Sequence, residues 1–384
     1  MESRLRSAYI DHATGTSYPL DVPRWRSDDG GPLMITPGPG IARADLDTST
    51  RSLWRYRAAL PMDMAAVSLG EGCTPLVERD WGGTRIHFKL EWFAPTGSFK
   101  DRGATVMVSY LKHCGVPSIL EDSSGNGGAA IAAFGAAAGI KVTILCPATT
   151  QPAKVAQMRA FGAAVQLVPG PREASEHEAI RQSTATFYAS HNWQAFFLQG
   201  TKTLAYELWE DLGFRAPDNV IIPVGAGSNV LGCDLGFGEL LAAGQIARLP
   251  RLFAAQPVNC SPIHASFQAG GNTLVAGDWT PTVAEGTAIT SPVRLGPVID
   301  ALRRSGGGTV ALTEDEIIEA TVRLAAGGLY VEPTCASAAV AAEKLLAAGT
   351  IAAGETTVVV LTGTGLKATA FMSDLFGKAP PGTR

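Results

Sequence analysis

The sequence predicts an α/β fold built on parallel sheet covered by helices on both faces. Two observations carry this expectation: apolar runs of strand length alternate with runs of helical length, and glycine-bearing turns punctuate them. At 384 residues and 46% hydrophobic content, the chain can bury a large core, as two domains or as one domain carrying a large insertion.

The elements follow in order. Residues 1–63 are rich in Pro, Gly, Asp and Arg, with Trp25 and Trp54 as scattered anchors and little sustained periodicity, so they read as an arm lying across another surface. Residues 51–60 have the character of a short helix, and residues 70–75 form a glycine-rich turn. A first series then predicts strands at 86–90, 118–120 and 142–146, separated by helices at 100–114, 127–138 and 153–161. A second series predicts strands at 220–224, 252–256 and 357–361, with a helix after Asn229. Thr313 followed three residues later by Glu316 is a capping box, which fixes the start of a helix before Ile317 and Ile318.

Composition narrows the function. A net charge of −4 gives no global basic field, so nucleic acid is disfavoured and small molecules are the expected partners. The N-terminus lacks the form of a secretory signal, and the longest apolar stretch, 127–140, is too short to span a bilayer, so a cytoplasmic protein off the membrane is expected. Cys73, Cys114, Cys146, Cys233, Cys260 and Cys335 stand singly and the histidines are dispersed, so neither a metal site nor a disulfide framework is expected. Cys335, after the Glu332-Pro333-Thr334 turn, is the one to follow.

Four segments have the character of a site. In Pro95-Thr96-Gly97-Ser98-Phe99-Lys100-Asp101-Arg102-Gly103, Lys100 is flanked by small and turn-forming residues and can reach into a cleft. Alone it would read as a solvated lysine paired with Asp101. An aldehyde cofactor needs such an amine, and Lys100 is the candidate. Ser123-Ser124-Gly125-Asn126-Gly127-Gly128 runs into an Ala-rich helix, where the Asn126 amide can bond a ring hydroxyl or cap the helix, and exposed backbone N–H groups can bind a carboxylate. Val224-Gly225-Ala226-Gly227-Ser228-Asn229 follows an apolar strand and precedes a helix, as a backbone nest for phosphate does. Its spacing is not the dinucleotide fingerprint, which disfavours a nicotinamide-dependent dehydrogenase. Finally, the strand at 357–361 ends in Thr362-Gly363-Thr364-Gly365-Leu366-Lys367, where a hydroxyl can face a pyridine nitrogen.

These motifs, in this order, resemble those of the fold type II pyridoxal phosphate enzymes, of the threonine synthase and threonine dehydratase superfamily, and most closely the threonine synthases. Further matching runs are Ser52-Leu53-Trp54-Arg55-Tyr56-Arg57, Val67-Ser68-Leu69-Gly70-Glu71-Gly72-Cys73-Thr74-Pro75-Leu76 and Gly200-Thr201-Lys202-Thr203-Leu204-Ala205. The resemblance implies a tryptophan synthase β-like fold of two open twisted α/β domains with pyridoxal 5'-phosphate in the cleft. It implies a large domain of 64–103 and 193–376, a smaller inserted domain of 104–192, and a homodimer. Lys100 becomes the Schiff-base lysine and general base, with Phe99 beside it. Asn126 is expected at the ring hydroxyl, Gly225, Ala226, Gly227, Ser228 and Asn229 at the phosphate, and Thr362 at the ring nitrogen. Ser124, Gly125, Asn126 and Gly127 are expected around the carboxylate of an amino-acid substrate.

Three departures bear on that substrate. Gly127 stands where the family usually has a threonine, Thr364 where it commonly has a histidine, and Phe197 where it carries an arginine that binds the phosphate of O-phosphohomoserine. Loss of a bidentate guanidinium removes charged hydrogen bonds of about 1.5–3 kcal/mol each. His191, Asn192 and Lys202 are the polar groups left nearby in sequence. The expected function is therefore a threonine synthase-like lyase eliminating a β or γ leaving group. The alternatives are an ammonia-lyase or β-replacement synthase acting on unphosphorylated threonine, serine or diaminopropionate, and a non-catalytic pyridoxal phosphate-binding protein.

Overall fold

Glycine ends one helix of this chain with a left-handed cap and sets its closest helix contacts. The computed structural model describes residues 7–123, 125–150 and 152–377. The chain separates into two compact units, one of Met1–Cys73, Ala94–Ala216 and Leu231–Leu249, the other of Thr74–Phe93, Pro217–Val230 and Pro250–Arg384.

The first unit holds a four-stranded parallel sheet in the order Ala164–Val168, Lys141–Pro147, Ser118–Glu121, Phe187–Tyr188. Leu120 pairs with Thr143 on one side and Tyr188 on the other. The helix Asn126–Ala138 ends at Gly139, whose φ of 73° is the left-handed cap that lets the chain turn back into Lys141–Pro147. A Cβ at Gly135 would stand 2.2 Å from Val142 Cγ2, so this helix lies directly on the strand that follows it.

The N-terminal stretch without periodicity contains three short antiparallel strands, Ala8–Asp11, Ser17–Pro19 and Leu33–Ile35, with Ala8–Asp11 in the middle. Strands of three or four residues are too short to show alternation. They are fixed by what they bury: the hydroxyls of Tyr9 and Tyr110 are 2.9 Å apart, Tyr110 donates to the Leu20 carbonyl at 2.8 Å, and its ring stacks on Phe196 at 3.6 Å. The helix expected at 51–60 is a 3-10 helix, Leu53–Ala59, broken at Tyr56. There the Tyr56 hydroxyl and Arg55 both bond the Glu210 carboxylate, at 2.6 and 2.7 Å.

Two helices of this unit approach with almost no separation. A Cβ at Gly200, in Ala195–Thr201, would stand 1.9 Å from the Arg102 carbonyl oxygen of Lys100–His113. A Cβ at Gly103 would stand 2.4 Å from the ring of Phe197. Just beyond, buried Arg102 pairs with buried Glu207 at 2.9 Å.

The second unit is a six-stranded sheet in the order Gly308–Leu312, Arg251–Pro257, Asn219–Pro223, Thr357–Leu361, Thr84–Leu90, Leu76–Trp81. All neighbours are parallel except the Leu76–Trp81 edge hairpin. Val359 pairs with Ile221 and Phe88 in the buried centre. The helices Leu295–Arg304 and Pro333–Ala347 pack on this sheet, and Glu314–Ala326 packs on Pro333–Ala347. The capping box forms as expected: Thr313 Oγ1 accepts from the Glu316 N–H at 3.3 Å, and the Glu316 carboxylate accepts from the Thr313 N–H at 2.8 Å. Among the described residues no helix is long and apolar enough to cross a membrane.

The Gly200 contact is testable. Gly200→Ala puts a methyl group against a backbone oxygen that cannot rotate away, and urea unfolding should show a loss of about 3 kcal/mol, at the upper end of ordinary overpacking. A loss under about 0.5 kcal/mol would mean that the helices separate at little cost.

Candidate active site

In the first unit, Lys100 is the first residue of its helix. The loop before it turns at Gly97, with φ 81°, and is clamped to the first helical turn by Asp101, whose carboxylate accepts from the Thr96 N–H at 2.7 Å and the Thr96 hydroxyl at 2.5 Å. An anion in that position also suits the positive end of the helix dipole. The Lys100 amine lies 4.9 Å from the centre of the Phe99 ring and 5.6 Å from that of Phe197. Phe197 is fully buried and Phe99 half-buried. Ser98, just before them, is also buried, and its hydroxyl finds no hydrogen-bond partner among the described residues.

Gly125 and Asn126 open the helix Asn126–Ala138 and are half-buried, while Gly127 is buried behind them. Ser124 lies outside the described residues. The reason for glycine at 127 is steric: a Cβ there would stand 2.7 Å from His191 Cε1, 2.8 Å from its Nδ1 and 2.9 Å from Ser123 Oγ. His191 is held twice by one carboxylate, its N–H donating to Glu121 Oε2 at 3.1 Å and its Nδ1 lying 2.7 Å from Glu121 Oε1. Its ring is tilted against Phe197, with centres 5.7 Å apart. Neighbouring Asp122 accepts from the hydroxyls of Tyr188 and Ser190, at 2.7 and 2.9 Å.

Burial pushes the Glu121 carboxyl up to about 8, against the pull of the His191 N–H and the Lys100 charge. Burial, followed by the Lys100 charge, holds the His191 imidazole well below its ordinary value. The two share one proton and titrate as a pair. Lys202 is spent elsewhere: its ammonium is buried against Glu239 at 2.9 Å and the Ala59 carbonyl at 2.8 Å.

In the second unit, residues 224–229 join the strand Asn219–Pro223 to the helix Ser228–Ala242. Gly227 has φ 90°, and a Cβ on it would stand 2.3 Å from Val298 Cγ2, so both conformation and space require glycine. Gly225 is similarly enclosed by Gly286, Thr287 and Ile289. Asn229 is buried, and neither its Nδ2 nor its Oδ1 has a partner among the described residues. Such an orphan costs about 1–3 kcal/mol unless a ligand satisfies it. A turn of small residues, a helix start and an unsatisfied amide fit a phosphate group.

Also in this unit, Thr362 is buried at the end of Thr357–Leu361, with its hydroxyl 3.5 Å from Cys335 Sγ. The sulfur receives the Gly363 N–H at 3.2 Å and lies 3.3 Å from the Gly363 carbonyl. Burial raises the Cys335 thiol to about 12, so it stays neutral. Thr364 caps the short helix after it by accepting from the Leu366 N–H at 3.3 Å.

Residue by residue, the first unit brings together Phe99, Lys100 and Phe197 by ring and amine, and Gly127 with His191. The second brings Thr362 to Cys335 and carries Gly225, Ala226, Gly227, Ser228 and Asn229 as one turn. The pairing of Glu121 with His191 carried no local signal, because 70 residues separate them.

The sequence profile described as "Pyridoxal-phosphate dependent enzyme" matches residues 67–363. Threonine synthase of Methanosarcina acetivorans is 34% identical over 330 residues, 84% of this chain and 82% of that protein. Threonine synthase of Methanocaldococcus jannaschii is 35% identical over 326 residues, 82% of this chain and 80% of that protein. Among solved structures, a fungal L-serine ammonia-lyase from Rhizomucor miehei superposes with a TM-score of 0.71 at 20% identity, covering 82% of this chain and 99% of that one. The processed form of threonine deaminase isoform 2 from Solanum lycopersicum gives 0.68 at 22%, covering 79% and 83%. These two show the fold alone.

The shared proton makes stability depend on pH. Between the ordinary values of 4.5 for Glu121 and 6.5 for His191, the unfolded chain carries one proton on the imidazole and the folded pair also carries one, so the pair adds no slope. Above 6.5 the unfolded chain loses its proton while the folded pair keeps one until about 8, so stability falls with rising pH across that window. The expected fall is about 2 kcal/mol by urea unfolding, and Glu121→Gln should abolish it. A wild-type profile that stays flat above 6.5 would show that the pair holds no proton there.

Proposed function

From its place in the pyridoxal-phosphate dependent enzyme family, to which this chain belongs, we propose that it is a threonine synthase-like lyase acting on an amino acid. Its cofactor is pyridoxal 5'-phosphate. What carries the proposal is the threonine synthase likeness over 84% of the chain, coupled to a lysine at a helix start with two aromatic rings within 6 Å of its amine. The same reading includes a homodimer in the cytoplasm and an inserted smaller domain at 104–192.

In this reading Lys100 holds the cofactor through its amine, and the turn 225–229 holds the phosphate, with the Asn229 amide gaining the partner it otherwise lacks. The N–H groups around Gly125, Asn126 and Gly127 bind the substrate carboxylate at the positive end of their helix, and Asn126 meets the ring hydroxyl. When bound, the cofactor supplies the electron sink that makes loss of the α-proton possible. The Lys100 amine takes that proton from the substrate Cα. Thr362 offers the ring nitrogen a hydroxyl, and neutral Cys335 behind it adds no charge, so that nitrogen is not forced to hold a proton. Phe99 and Phe197 exclude water from the amine.

One observation favours an ammonia-lyase on an unphosphorylated substrate. The ring of Phe197 sits beside the Lys100 amine, and the nearest cation in sequence, Lys202, is consumed by Glu239. An apolar wall there cannot bind a phosphate dianion as a guanidinium does.

Two measurements test the proposal. Lys100→Ala should lower turnover by about a thousandfold or more, the scale of a lost general base, and should abolish borohydride trapping of the cofactor on the peptide containing residue 100. Trapping on another lysine would overturn the assignment. Phosphate and threonine released together from O-phosphohomoserine by cofactor-loaded protein would establish the threonine synthase reaction. No turnover there, with keto acid formed from threonine, serine or diaminopropionate, would establish the ammonia-lyase.

A further inference from the structure

We propose that Glu121 and His191 act as one positioning pair that sets the charge of the Lys100 amine, and that residue 127 is glycine because the imidazole of this pair fills the space a side chain would take. The proposal rests on the reading of Lys100 as the cofactor-bearing amine.

The geometry leaves His191 one place to be. Its backbone and its ring are both held by the Glu121 carboxylate, at 3.1 and 2.7 Å. Its other side meets the empty face of Gly127, where a Cβ would come within 2.7 Å of the ring. Phe197 closes a third side at 5.7 Å between ring centres, and the same Phe197 ring stands 5.6 Å from the Lys100 amine. Side-chain exposure is 6% for His191 and 0% for Glu121, so water screens this cluster poorly. A buried carboxylate and imidazole bonded to each other form a unit of fixed shape and variable charge.

Among the described residues, three charged groups act on that unit through their field. Lys100 acts from the helix Lys100–His113, Arg172 from the helix Arg172–Gln182, and Asp122 from the end of the strand that carries Glu121. Asp122 is held by Tyr188 and Ser190. Lys100 is the one of the three whose charge must change for chemistry, because an amine bonds a carbonyl carbon and accepts a proton only when uncharged. Electrostatic coupling is reciprocal: whatever the Lys100 cation does to the proton on the pair, the pair does to the proton on Lys100. With Glu121 anionic, Lys100 is held as the ammonium. With the pair protonated, Lys100 gives up its proton more readily. The pair touches neither of the atoms that react and works through the field at Lys100.

Two measurements on the full-length, cofactor-free chain test this. In the first, nitrogen-15 histidine spectra follow the His191 ring against pH in wild type and in Lys100→Gln, with the signal assigned from His191→Gln. Removing the cation should move the pair's titration upward by about one pH unit, about tenfold in proton affinity. In the second, the rate of pyridoxal phosphate uptake is measured against pH by absorbance. Glu121→Gln should move the midpoint downward by about one unit, with the roughly tenfold gain in uptake confined to pH above about 8, where the wild-type pair has lost its proton. Should Glu121→Gln not fold, the ring titration in Lys100→Gln decides on the coupling. A purely structural pair would lower stability in these variants without moving either titration. Unmoved midpoints in protein that takes up cofactor would overturn the proposal. Wild type that takes up none would overturn the reading of Lys100, and the nitrogen-15 titration would then decide on the pair alone, with an unmoved ring signal in Lys100→Gln counting against it.

Discussion

The contact between the helices Lys100–His113 and Ala195–Thr201 is the constraint on which the first unit depends. With a backbone oxygen 1.9 Å from where a Cβ at Gly200 would be, the two main chains are in direct contact. Gly103 and Phe197 complete the fit, one as a hollow and the other as its filling. Because Gly103 lies one turn beyond Lys100, seating Phe197 in that hollow delivers its ring to the lysine amine. The aromatic wall that Phe197 puts beside Lys100 is thus a consequence of helix packing. A substitution at 103 or 200 would alter the amine's environment without touching it.

The second unit is organised by different means. Its sheet is five parallel strands and one antiparallel edge, with the central strands buried throughout. Both of its candidate segments lie at the ends of such strands, where parallel α/β sheets carry their ligands. Asn229 and Ser98 are buried with polar atoms that find no partner among the described residues, a state that folding alone does not favour.

Much of this was legible in the sequence because the signals were local. The strand Thr357–Leu361 and the helix start at Glu314 fall where a run of β-branched residues and a Thr-x-x-Glu box place them. The run around Lys100 was legible because glycine, proline and a capping acid act over five or six residues. The N-terminal strands were hidden because they are only three or four residues long and are stabilised by tyrosines meeting partners about a hundred positions away. Glu121 and His191 were hidden for the same reason: an acidic residue ending one strand and a histidine following another become a pair only when the sheet brings those strands together. Gly127 showed the absence of a side chain, and only the fold shows what occupies the space.

Cys335 carries a chemical consequence of its own. Aldehydes are captured by thiolates, and a protein that uses an aldehyde cofactor has reason to keep sulfur nucleophiles away from it or quiet. Cys335 is bonded within the Thr362–Gly363 turn, and burial keeps its proton in place to about 12. At neutral pH it therefore behaves as a small, polarisable hydrogen-bonding group with almost no thiolate character. The turn gains a soft contact for its hydroxyl while avoiding a sulfur that would respond to peroxide.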